Sequence, residues 1–90
     1  SMQALKGGPG RGRYLVSGGD SEKLIEFIDQ ASEDPSVSLL DTIGPQHSPH
    51  TAVFDMPHDT AATLAQRFKN DGNLKIEPDR PLSLFDSKLL

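Results

Sequence analysis

Residues 51–77 read TAVFDMPHDTAATLAQRFKNDGNLKIE, and this stretch decides the fold. It opens on an alternating run, Thr51 to Met56, in which Ala52, Phe54 and Met56 share one face of a strand. Pro57-His58-Asp59 then starts a helix. Ala61, Leu64, Ala65 and Phe68 follow at i, i+3, i+4 and i+7, the spacing of one apolar helical face. Asn70-Asp71-Gly72-Asn73 ends the helix, with Gly72 placed for a left-handed C-cap. Leu74 to Glu77 alternates again as a short strand. Pro78 and Pro81 remove donors from any long ladder, so this strand belongs at an edge.

Upstream, a similar unit precedes it. Arg13 to Ser17 is β-prone and stops at Gly18-Gly19. Asp20 stands where an N-cap carboxylate accepts the free N–H groups of a helix start. Leu24, Ile25, Phe27, Ile28 and Ala31 form an apolar stripe, with Glu22, Glu26, Asp29 and Glu33 largely opposite. Asp34-Pro35 ends this helix, because a residue before proline avoids the α region. Val37 to Ile43 reads as a second strand, followed by the proline-bearing loop 44–49. Strand, helix, strand, strand, helix, strand is the order of an α+β, ferredoxin-like βαββαβ sandwich. Its two helices cover one face of a four-stranded antiparallel sheet, with the first and third strands central. The expected organisation is an N-terminal disordered arm over 1–12, one domain over 13–85, and a flexible tail over 86–90.

Composition limits the functions. Ninety residues make one domain. With no cysteine there is neither a disulfide nor a thiolate nucleophile, which suits a reducing compartment. No apolar run approaches the length of a membrane span. Ser1-Met2 reads as a cloning residue before a start methionine, with upstream trimming as the alternative. The first reading, with no apolar signal region, leads to an expected cytoplasmic location. The first thirteen residues hold Lys6, Arg11 and Arg13 and no acid. The rest sets six basic against thirteen acidic residues, which argues against nucleic acid as a partner.

Several constellations have side chains capable of chemistry. His47 and His50 on a loop and His58 beyond the third strand are the three histidines. An extended strand holds His50 and His58 about 25 Å apart, so they do not converge on a metal. Ser17 to Ser21 is a glycine-rich strand-to-helix turn without the P-loop lysine or the dinucleotide fingerprint, and reads as a tight turn with an Asp cap. No serine, histidine and acid are spaced as a triad. The expectation is a non-enzyme with no cofactor and no metal. Asp55 lies between Phe54 and Met56 and so points to the open sheet face, with Val53 beside it. It is either an ordinary solvated sheet acid or part of a docking surface.

The strand Tyr14-Leu15-Val16 and the run LKIEPD, with Leu74, Ile76, Glu77, Pro78 and Asp79 at matching positions, give a family resemblance. The chain resembles the subtilisin propeptide and peptidase inhibitor I9 family over residues 13–85. The resemblance implies a stand-alone protease inhibitor or folding chaperone for a subtilisin-like serine protease. Its open sheet face, with Asp55 and Val53, would meet two helices of the protease. Phe85 to Leu90 would enter the cleft as a substrate-like strand. Lys88 and Leu89 would lie upstream and Leu90 nearest the scissile position. The alternative is a small oligomeric ferredoxin-like structural or ligand-binding domain, with a possible homodimer through the open face.

Overall fold

The computed structural model describes residues 10–79. It is an α+β domain of two helices and a four-strand antiparallel sheet. In chain order the elements are β1 (Arg11–Ser17), α1 (Ser21–Ala31), β2 (Ser38–Ile43), β3 (Thr51–Pro57), α2 (His58–Asp71) and β4 (Lys75–Pro78). Across the sheet the strands run β2-β3-β1-β4, so β3 and β1 are central. The first nine residues of the expected arm, and all of 80–90 including the expected tail, lie outside the described residues.

Register follows from the alternation. Gly12, Tyr14 and Val16 lie opposite Met56, Phe54 and Ala52, which puts these six on one face. Leu24, Phe27 and Ala31 of α1 and Ala61, Leu64 and Phe68 of α2 join Val16, Ala52, Phe54 and Met56 in one buried cluster. Phe54, Leu24, Met56 and Val16 are fully buried. Each such side chain contributes about 1.5–3 kcal/mol by leaving water. Phe27 is the keystone, meeting Phe54 edge to face at 5.5 Å and Phe68 at 5.3 Å.

The helix ends have local causes. The Asp20 carboxylate accepts from the N–H groups of Glu22 and Lys23. α1 stops at Ala31, three residues short of Asp34-Pro35. There the Asp34 carboxylate captures the N–H and hydroxyl of Ser36 at 2.9 and 2.7 Å, a turn that competes with further helix. α2 begins without a side-chain cap. Instead the His58 N–H donates to the Gly10 carbonyl at 2.7 Å. It ends at Gly72, whose φ of 84° lets its N–H reach back to the Phe68 carbonyl.

Each strand differs from the sequence expectation at a boundary: β3 runs on to Pro57 rather than Met56, and β4 spans Lys75–Pro78 rather than Leu74–Glu77. β1 begins at Arg11 rather than Arg13, so Arg11 and Gly12 belong to the sheet and not to an arm. β2 begins at Ser38, and all six of its residues are exposed in spite of their apolar character. The helices pack over β3, β1 and β4, and neither makes more than marginal contact with β2. β2 therefore projects beyond the helix layer.

Candidate functional site: the uncovered sheet face

The odd-numbered residues of β1 and β3 turn away from the helices. Arg11, Arg13, Leu15 and Ser17 lie opposite Pro57, Asp55, Val53 and Thr51. On β2, Ser38, Asp41 and Ile43 lie opposite Asp55, Val53 and Thr51 and complete this face. On β4, Lys75 and Glu77 lie opposite Ser17 and Leu15.

The charges that β1, β3 and β4 place on this face are paired. The Arg11 guanidinium donates to the Asp55 carboxylate, with Nε at 2.9 Å and Nη2 at 2.8 Å, and Nη2 also donates to the Ser36 carbonyl at 2.8 Å. Arg11 thus ties β1 to β3 and to the turn before β2. Arg13 pairs with Asp79 and Lys75 with Glu77, each at 3.3 Å. Between these pairs Leu15 and Val53 face one another across β1 and β3. Val53 is only 4 % exposed although it lies outside the helix-side cluster. An apolar centre with a polar rim is the anatomy of a protein-docking patch.

The sequence-derived site residues therefore divide. Val53 and Asp55 share the uncovered face, two residues apart on β3. Asp55 is not a free acid, because Arg11 already holds its carboxylate. Phe85, Lys88, Leu89 and Leu90 lie outside the described residues. Sequence reasoning missed Arg11, because the glycines around it made 1–12 resemble a loose arm. The available signal was the alternation Arg11, Arg13, Leu15 on one face, with Gly12 between. A Cβ at Gly12 would lie 3.0 Å from Cε1 of His58, so the position favours a small residue.

The other constellations resolve into local contacts. His50 and His58 stand at opposite ends of β3. His50 Nδ1 is 2.9 Å from the Thr51 hydroxyl, and His58 Nδ1 is 2.6 Å from that of Tyr14. Among the described residues no three His, Cys, Asp or Glu side chains gather as a metal site. No helix of the described residues is long and apolar enough to cross a membrane. The glycine turn borders an open depression of about 530 Å³ between Gly18-Gly19, His50 and Gly72-Asn73. Gly18 closes this end: a Cβ there would lie 2.5 Å from the Asn73 carbonyl oxygen. Compared with known families, curated proteins and solved structures, the chain matches no family model, no curated protein and no solved structure.

Proposed function

We propose that this is a ferredoxin-like protein-binding module that docks through its uncovered sheet face. The reading is that of a non-enzymatic, cytoplasmic inhibitor or folding chaperone of the I9 type, acting on a subtilisin-like serine protease. The observation that carries it is the half-buried Leu15, backed by the buried Val53 and framed by the Arg11–Asp55 and Arg13–Asp79 pairs. Buried apolar contact supplies the affinity of such a patch, and rim charges supply orientation. The strand order β2-β3-β1-β4, antiparallel throughout, supports the ferredoxin-like reading. β4 ends beside Arg13, where the Asp79 N–H donates to the Arg13 carbonyl. The chain therefore leaves the sheet at the rim of this face, from which Phe85–Leu90 would run into a protease cleft.

The test is inhibition of a panel of subtilisin-like proteases by the full chain and by a chain lacking Asp86–Leu90. Inhibition that weakens on truncation is expected. No effect of either chain up to about 50 µM removes the proposal. The same apolar centre favours a second reading, a homodimer joined through these faces. Sedimentation would reveal it as a concentration-dependent dimer that Leu15→Lys, at the half-buried neighbour of Val53, disperses.

A further inference from the structure

We propose that the free edge of β2, which borders the uncovered face, is a second docking site that takes an extended apolar and basic peptide segment of a partner protein by strand addition. β2 is the outermost strand, hydrogen-bonded to β3 on one side, and no strand of the described residues lies beyond it. Its outer row of backbone groups is a template on which another extended backbone can pair. The two edges of the sheet are not alike. β4 is four residues long and carries Lys75, Glu77 and Pro78, all of which discourage pairing. β2 has neither lysine nor proline, its one irregularity is a register shift at Leu40, and it exposes Leu39, Leu40 and Ile43 at 46, 49 and 44 %. Because the helices stop short of it, apolar side chains of a docked strand would find Leu39 on one side and Ile43 on the other.

Charge selects the occupant. From residue 24 to residue 66 the chain contains no lysine or arginine, while Glu33 and Asp34 precede β2 and Asp41 lies within it. Arg11, which reaches the turn before this strand, is committed to Asp55 and the Ser36 carbonyl. A second copy pairing β2 with β2 would bring two copies of Asp41 together with no lysine or arginine in either strand to offset them. A partner strand that alternates apolar residues with lysine or arginine satisfies the backbone edge, the leucines and Asp41 together.

The probe is the capped peptide Lys-Val-Thr-Val-Lys-Val, compared with the same peptide carrying Glu for Lys. Both are titrated into ¹⁵N-labelled full chain. Amide shifts along Ser38–Ile43 are expected with the lysine peptide, and affinity about fivefold or more weaker for the glutamate peptide. Asp41→Lys, an exposed change whose folding the same spectrum reports, should reverse that preference. The proposal is overturned if the lysine peptide leaves β2 unshifted up to about 1 mM, or shifts β1 residues such as Arg13 and Leu15 more than Ser38–Ile43. It is equally overturned if Asp41→Lys leaves the preference unchanged, or if sedimentation shows β2-dependent self-association instead. Loss of protease inhibition with β2 binding intact would count against the function proposed above and leave this site standing.

Discussion

The Tyr14 hydroxyl lies 2.6 Å from Nδ1 of His58, and the two rings meet edge to face with centroids 5.9 Å apart. This pair fastens the middle of β1 to the first residue of α2, a helix whose start lacks a side-chain cap. Tyr14→Phe removes the hydrogen bond and should lower stability by about 1 kcal/mol. His58→Ala also removes the ring contact and should cost about 1–2 kcal/mol. Urea midpoints measure both, and an unchanged midpoint for Tyr14→Phe would show that the hydroxyl contributes nothing.

Gly18 and Gly19 are neighbours with opposite constraints. A Cβ at Gly18 would strike the Asn73 backbone, while one at Gly19 meets nothing within 4 Å. Gly18→Ala should therefore cost about 2 kcal/mol or more, since backbone has to move. Gly19→Ala should change stability by less than about 0.5 kcal/mol. Thermal unfolding of the two variants side by side gives the comparison, and equal losses would contradict the close approach.

The Arg11–Asp55 pair is partly shielded, with the side chains 28 and 23 % exposed. A double-mutant cycle with Arg11→Ala and Asp55→Ala should give a coupling of about 0.5–1 kcal/mol. The coupling should shrink as salt is raised. Arg11→Ala should lose more than Asp55→Ala, because it also frees the Ser36 carbonyl. A coupling of zero would mean that the pair forms no net link between β1 and β3.

Asp34 titrates below its ordinary value of 3.8, because the Ser36 hydroxyl and then the Ser36 N–H stabilise its carboxylate. A carboxyl lowered on folding adds stability at pH above its ordinary value, and that contribution is lost as pH falls through the lowered one. Ser36→Ala should raise the Asp34 titration toward 3.8, as read by NMR. The stability gap between this variant and the parent should be present at neutral pH and narrow in acid below 3.8. A gap that widens in acid would contradict the assignment.

Local periodicity made the helices readable. Leu24, Phe27 and Ala31, and Ala61, Leu64 and Phe68, are buried where 3.6-residue spacing marks them, whereas Ile25 and Ala65 on the same expected stripes are exposed. Asp20 and Gly72 act as the caps that their side chemistry and backbone freedom suggest. Coverage was not readable in the same way. Val37–Ile43 has the composition of a strand, but whether a helix lies over it depends on how the two helices sit on the sheet. Nor did Arg11 announce its partner, because Asp55 is 44 residues away and the intervening order gives no local sign of the match. On the uncovered face the alternation around Asp55 placed the side chain correctly, while its pairing required the assembled sheet.

The overhang of β2 beyond the helices also grades the sheet in time. Strands β1 and β3 cannot lose their pairing without opening the cluster of Val16, Phe54 and Phe27. β2 can detach from β3 while that cluster stays closed. Its amides should therefore exchange with solvent through local opening, well before those of the central strands, which wait for global unfolding. The fold so divides into a slow interior and a fast margin, and the margin is the strand whose hydrophobic residues are least protected.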